Sequence, residues 1–158
     1  MKIRKATKKD AGTLSALNAE AQKIHADAFP EIFKQPENDS FAIQFVLEKL
    51  DVPGNYYCIA NINGEDVGYV YAKIIDMPEN PFMFQWKFIH IDQITIKKKY
   101  QRMGCGEKLI AEINNLAKDK GIKTITLDTW LFNEQAQSFF KKQGFIPFQN
   151  RKWKTWNL

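Results

Sequence analysis

Through residues 1–50 apolar side chains recur at helical spacing, through the middle of the chain they alternate or run together, and in the last third helical spacing returns twice. Lys2–Ala6 reads as a short strand, and Thr7 with Asp10 carries the signature of a capping box opening a helix through Leu14, Leu17, Ala21 and Ile24. Pro30 and Pro36 break that pattern. A second helix is expected from Asp39 or Ser40, with Phe41, Phe45 and Leu47 among its apolar positions. After Pro53-Gly54 the period changes: Tyr57-Cys58-Ile59-Ala60 leads into Asn63-Gly64, a strong hairpin signal, and Val67–Ile75 reads as the returning strand. Pro78 and Pro81 mark a loop before a long strand from Phe84 to Ile96. Gly104–Lys120 is an amphipathic helix through Leu109, Ile113 and Leu116, ended by Gly121. Ile122–Thr129 reads as a strand, Glu134–Lys142 as a short helix, and Phe145 onward as a terminal hairpin. This order predicts a mixed α/β fold whose sheet is largely antiparallel, with a local parallel crossover through Gly104–Lys120.

Composition narrows the picture only a little. The 158 residues, 44% hydrophobic and 26% charged, are the size and balance of a single globular domain, and no repeat or linker-like stretch divides residues 1–158. A net charge of +5 suits nucleic acid, a membrane surface or an anionic cofactor and does not choose among them. Cys58 and Cys105 lack metal-ligand spacing, and His25 and His90 are the only histidines, so no metal site is expected. The start, Met1-Lys2-Ile3-Arg4-Lys5, has no apolar signal-peptide core, and no apolar run is long enough to span a bilayer. The expectation is a soluble protein of a reducing cytoplasm with free thiols and no membrane partner.

Chemistry concentrates in Ile94-Thr95-Ile96-Lys97-Lys98-Lys99-Tyr100-Gln101-Arg102-Met103-Gly104-Cys105-Gly106-Glu107. A strand ends, a basic loop follows, two glycines appear and a helix begins. Glycines let backbone approach a ligand, and a helix start offers N–H groups and positive partial charge to a pyrophosphate. Lys97, Lys98, Lys99 and Arg102 add full positive charges nearby. Glu107-Lys108 after Gly106 excludes the Walker pattern, and Leu109 stands where a dinucleotide fingerprint needs a small residue. By glycine spacing alone a turn capped by solvated charges is the better reading of the stretch.

Gln101-Arg102-Met103-Gly104-Cys105-Gly106 resembles the Gln/Arg-x-x-Gly-x-Gly/Ala motif of the GNAT family of N-acetyltransferases, at the same strand-to-helix junction. Asn133-Glu134-Gln135-Ala136 and Phe139-Phe140-x-x-x-Gly144-Phe145 look like that family's second conserved block, so the resemblance covers about residues 89–148. It implies a GNAT-type twisted, mostly antiparallel sheet flanked by about four helices and splayed at the cofactor strand. It also implies acetyl-CoA as cosubstrate and a small amine or basic peptide as acceptor. By similarity, main chain around Ile94, Thr95 and Ile96 would hold pantetheine, and main-chain N–H groups of the loop Gln101, Arg102, Met103, Gly104, Cys105, Gly106 and Glu107 would hold pyrophosphate. Asn133, Phe139 and Phe140 would border the cofactor, with Asn133 also read as the N-cap of its helix.

The resemblance implies attack of a neutral amine on a thioester, so the amine must lose a proton. Asp92, two positions before Ile94 on an otherwise apolar strand, stands where many relatives carry the base; a carboxylate at a bulge or strand edge is the competing reading. Relatives also carry a tyrosine at the position of Phe140, which has no proton to donate, so Tyr100, water or unassisted thiolate departure would replace it. The segment Ala19–Ser40, which in relatives borders the acceptor pocket, holds His25, Phe29 and Glu31, and Glu20, Asp27, Glu31, Glu37 and Asp39 outnumber Lys23 and Lys34 there. That asymmetry favours a cationic acceptor, while a solvated face explains the same charges. Cys105 reads as a packing residue or, beside a helix start, as a thiol of lowered pKa. His90 faces the cleft of Asp92 or serves structure. Two alternatives remain: a GNAT-fold acyl-CoA binder without transferase activity, and a nucleic-acid binder using Gln149–Trp156, where an edge hairpin would account for the same bases and aromatics. Dimers are common in the family, and the Trp153/Trp156 end could contribute a homodimer interface.

Overall fold

The computed structural model describes residues 1–36 and 40–156, and Glu37, Asp39 and the expected helix start at Asp39 lie outside them. The chain forms two compact units, Met1–Asp128 and Thr129–Leu158. In the first, β1 (Lys2–Lys5) leads through a 3-10 turn (Lys8–Asp10) into α1 (Ala11–Ala28), followed by α2 (Ser40–Leu50). Strands β2 (Asn55–Ile62), β3 (Glu65–Met77) and β4 (Trp86–Ile96) come next, then a 3-10 turn (Lys98–Tyr100), α3 (Cys105–Asp119) and β5 (Ile125–Leu127). The sheet order is β1-β2-β3-β4-β5, antiparallel throughout except for the parallel β4–β5 pair that α3 connects.

Local chemistry explains most element ends. Asn63 and Gly64 take φ of 49° and 89°, the left-handed pair that a two-residue turn between twisted strands requires. The Asp10 carboxylate accepts the Thr7 N–H at 2.7 Å, closing the capping box, and receives a bidentate Arg4 at 2.8 and 2.9 Å. Arg4 also reaches Asp66 at 2.9 Å, tying β1, the first turn and β3 together. α3 buries Cys105, Leu109, Ile110, Ile113 and Ala117, a stripe at helical spacing, and exits through Gly121 at φ 64°. β4 begins at Trp86 rather than Phe84, after a tight loop bridged between Asn80 and Met83.

Three expectations need correction. Phe41 and Phe45 are exposed; α2 turns Ile43 toward Gly12 and packs Val46 and Leu50 on the core, the positions whose spacing of three and four residues forms one stripe. β5 is confined to Ile125–Leu127 because the Ile122 N–H is used on the Ala117 carbonyl at 2.8 Å, making Ile122 part of the helix exit. In the second unit α4 (Glu134–Lys142) is the expected helix, but no strand forms from Phe145 to Trp156. Pro147 removes a ladder donor there, and Asn63 and Arg102 are the only non-glycine residues with positive φ among those described, so no turn of the Asn63-Gly64 kind folds this stretch back.

The core of the first unit fills both sheet faces. On the face that carries α1 and α2, Leu14 and Leu17 of α1 pack with Tyr57, Ile59, Tyr69 and Tyr71 of the sheet. Tyr57 stacks on Tyr71 with centroids 4.2 Å apart. Alternation along β3 and β4 assigns Val70, Ala72, Ile89 and Ile91, all buried, to the opposite face.

Arg4 holds the Asp10 carboxyl well below the usual carboxylate range against the opposing effect of burial, and Thr7 adds to the effect. A depressed folded-state pKa gives stability that is present above the unfolded value, about 3.9, and disappears as pH falls below it. Asp10→Asn is therefore expected to lower the melting temperature at pH 7, and its deficit relative to wild type should narrow steadily toward pH 2. A deficit of constant size across that range would show that the Asp10 charge is not what braces β1.

Candidate functional site

The site grows out of an irregularity in β4. On its β3 side the register runs Ile89↔Ile74, His90↔Lys73, Ile91↔Ala72 and then Gln93↔Tyr71, so Asp92 is an extra residue, a β-bulge. On its other side β4 pairs with β5 only at Ile89, His90 and Ile91, and among the described residues of this unit no strand continues beside it toward Ile96. Before the bulge the Ile89 N–H points toward β5, donating to the Thr124 carbonyl at 3.0 Å. After it the Lys97 N–H points toward β3, donating to Val67 at 2.8 Å. Strand alternation then turns Thr95 and Gln93 toward β3 and presents the main chain of Ile94 and Ile96 to the open side. One extra residue thus keeps outward-facing backbone groups in place where the neighbouring strand stops. The Ile96 carbonyl on that side accepts the Gln101 amide at 3.1 Å.

β3 and β4 come unusually close at this end. A β-carbon on Gly68 would collide with the Thr95 carbonyl oxygen and Ile96 Cδ1, so the approach requires glycine. Gly68 drew no attention in the sequence, where it is one residue inside a strand pattern.

Asp92 is exposed on the face that carries α1. Its carboxylate lies 2.6 Å from Lys73 Nζ. Nearby, Tyr69, Tyr57 and Tyr71 are pushed upward from the ordinary phenol range, chiefly by burial, with Asp92 adding to the effect. The Tyr69 hydroxyl donates to Gln93 Oε1 at 2.6 Å and lies 3.1 Å from the Asn18 amide of α1. His90 on the same face is held by Thr126 of β5 at 3.0 Å.

The glycine loop follows. Arg102 and Gly104 have φ of 62° and 80°, and Gly104 is the N-cap of α3 with no side chain capping the helix among the described residues. The first N–H groups of α3 therefore belong to a helix terminus able to receive an anion. The charge near it differs from the expectation. Glu65 accepts the Tyr100 hydroxyl at 2.6 Å, Lys97 Nζ at 2.9 Å and Lys99 Nζ at 3.1 Å, which holds its carboxyl down to about 2. Two of the four loop cations are thus engaged, and the Tyr100 proton is committed to Glu65 rather than offered to a leaving group. Cys105 is buried with its thiol toward the Tyr100 carbonyl at 3.6 Å, and burial pushes that thiol up, so it packs and is not activated.

At the end of α1, His25 stacks on Phe33 at 5.1 Å, and burial lowers its pKa. Phe29 is the C-cap, and Glu31 is exposed in the following turn. Glu20 accepts the Lys98 N–H at 2.9 Å and Asp27 pairs with Lys23 at 2.9 Å, so two acids of the expected acidic wall already have protein partners. In the second unit Asn133 caps α4, accepting the Ala136 N–H at 3.1 Å, and Phe140 is buried in edge-to-face contact with Phe139 and Phe145.

The Glu65 brace joins the loop to the start of β3. Glu65→Gln is expected to speed tryptic cleavage at Lys97, Lys98, Lys99 and Arg102 several-fold, since a neutral amide cannot hold two ammonium groups. Unchanged cleavage in a folded variant would show that the brace does not order the loop.

Residues 18–145 match the acetyltransferase (GNAT) family, a span that includes the β4 bulge, the glycine loop and α4. The chain is 29% identical over 108 residues to a putative [ribosomal protein bS18]-alanine N-acetyltransferase of Bacillus subtilis, covering 68% of this chain and 65% of that protein. It is 26% identical over 115 residues to an N-alpha-acetyltransferase of Sulfurisphaera tokodaii, covering 70% and 66%. It thus spans just under two thirds of the length of these two curated relatives. The fold matches that of the tetramutant of BH1408 protein from Bacillus halodurans with a TM-score of 0.89 at 21% identity, over 98% of this chain and 99% of that one. A family match across four fifths of the sequence, on a sheet that parts beside a glycine-led helix, makes this chain a member of the GNAT family of acetyltransferases.

Proposed function

We propose that the protein transfers an acetyl group from acetyl-CoA to a primary amine by direct attack, in the cytoplasm where that thioester is supplied. The observation that carries the reading is the coincidence, between Asp92 and Glu107, of three features: the bulge at Asp92, the outward main chain of Ile94 and N–H of Ile96, and the start of α3 without a side-chain cap. Backbone groups of Ile94 and Ile96 suit the amides of pantetheine, and N–H groups from Arg102 to Glu107 suit its pyrophosphate. Lys98 and Arg102, both exposed, are the loop cations left for phosphate charge. Asp92 takes the proton from the acceptor amine directly or through water. With Phe140 in an aromatic cluster and Tyr100 bound to Glu65, the thiolate leaves without a tyrosine donor, which its ordinary pKa of about 8.5 allows.

For the acceptor, one curated relative is named as an alanine N-acetyltransferase of ribosomal protein bS18 and another as an N-alpha-acetyltransferase, so peptides with a free N-terminus are the first class to test, with diamines beside them. Because Glu20 and Asp27 are engaged and Asp92 is paired with Lys73, the recognition of a cationic acceptor falls to the exposed Glu31, and to Asp92 only when Lys73 gives it up, rather than to a broad acidic wall.

Coenzyme A should raise the melting temperature, since a ligand of the native state alone at one hundred times its dissociation constant adds about 2.7 kcal/mol. Gly106→Val should remove that shift by placing a branched side chain in the first turn of α3. A CoA shift preserved in a folded Gly106→Val protein would move the pyrophosphate elsewhere.

Asp92→Asn should leave CoA affinity intact and cut turnover by about a hundredfold, the scale of one proton-transfer group, most strongly below the pKa of the amine. Full activity of the variant from pH 6 to 9 would remove Asp92 as the base. A CoA shift with no turnover on any amine would instead favour a binding protein of this fold.

A further inference from the structure

Lys73 holds its amine against the carboxylate to which the acceptor's proton is assigned above. It lies on β3 opposite His90, next to the bulge, with its Nζ 2.6 Å from the Asp92 carboxylate and 5.9 Å over the Tyr71 ring. Tyr71 is in turn fixed by stacking on Tyr57. The other ion-paired lysines are on carboxylates away from the bulge: Lys97 and Lys99 on Glu65, Lys87 on Asp76, Lys23 on Asp27 and Lys8 on Asp51. Lys73 alone among them holds a primary amine against the residue assigned the proton, beside the strand assigned the acyl donor.

We propose that Lys73 is an internal acyl acceptor, and that the protein acetylates this side chain from acetyl-CoA; the inference rests on the donor and base assignments made above. The Lys73 ammonium gives one proton to Asp92 or to water held by it. The freed lone pair forms a bond to the thioester carbonyl carbon, the C–S bond breaks, and sulfur leaves with the electron pair as the CoA thiolate. The second nitrogen proton lost as the amide forms neutralises that thiolate, so Lys73-NH3⁺ and acetyl-CoA become acetyl-Lys73, CoA thiol and one released proton. No oxidant or further reactant is needed. Confinement of the amine at the site replaces a bimolecular encounter, the condition under which weakly nucleophilic groups react well. The product amide is neutral and can no longer pair with Asp92. Self-acetylation therefore exposes the Asp92 carboxylate to an external ammonium, and unmodified Lys73 competes with the acceptor for the same carboxylate.

The test is intact-mass and peptide-mass analysis of the purified protein incubated with acetyl-CoA and no amine. One acetyl group should be added at Lys73, at a rate per molecule independent of protein concentration. Lys73→Arg, which keeps the charge, should abolish the addition, and Asp92→Asn should slow it about tenfold or more. Equal labelling of exposed lysines such as Lys8 and Lys99, or an undiminished rate at Lys73 in Asp92→Asn, would mark ordinary chemical acetylation and overturn the proposal. If CoA raises the melting temperature while Lys73 stays unmodified, the inference fails and the donor assignment stands. If CoA gives no shift, the donor assignment fails and takes the inference with it.

Discussion

Beyond Ile91, β4 loses its neighbour on one side while its pairing with β3 continues to Ile96. A strand in that position carries backbone donors and acceptors that must be met by something, because exposed edge groups are either solvated, covered or used. The bulge at Asp92 decides which groups those are. It shifts the alternation by one, so that Ile94 and Ile96 turn their main chain outward, and it lifts a carboxylate out of a strand whose neighbouring residues Ile89 and Ile91 are buried. Both halves of the proposed site, a peptide-like edge for an extended ligand and an acid beside it, follow from that one inserted residue.

Around this edge the structure limits its own charge. The loop after β4 is strongly basic in sequence, yet Glu65 gathers Lys97, Lys99 and the Tyr100 hydroxyl, and Glu20 takes the Lys98 N–H. In the proposed reading the first N–H groups of α3, fixed in direction, receive the anion with only Lys98 and Arg102 of the loop cations added. The carboxylates of Asp92 and Asp27 are likewise matched, to Lys73 and to Lys23. In the resting protein the Asp92, Asp27 and Glu65 carboxylates each lie against lysines, while Lys98 and Arg102 stay exposed in the loop before α3.

Much of this was legible in the sequence where the signal is local. Asn63-Gly64, Thr7 with Asp10, and the helix through Leu109, Ile113 and Leu116 each depend on neighbours a few residues away, and each formed as read, with Ala117 rather than Leu116 as its last buried position. The glycine loop was readable for the same reason: its backbone conformation at Gly104 follows from the residue itself. What stayed hidden depends on pairing. No property of Ile91-Asp92-Gln93 says that Asp92 is the extra residue, since a bulge is defined only against Tyr71 and Ala72 of the partner strand. The Glu65 brace, the Lys73 pair and the need for Gly68 likewise join residues far apart in sequence. The terminal hairpin was misread because bulky aromatics and bases alternate there as in a strand, without a turn to fold the stretch back.

The central claim is that the open backbone of β4 and the first turn of α3 together hold an extended acyl-CoA. Amide hydrogen exchange resolved by residue, with and without coenzyme A, tests it most directly. The amides of Ile94 and Ile96 and those from Cys105 to Glu107 should gain protection in the bound protein, while amides already paired with β3, such as Lys97, change little. Protection appearing elsewhere, with Ile94, Ile96 and the α3 start exchanging as before, would contradict the account.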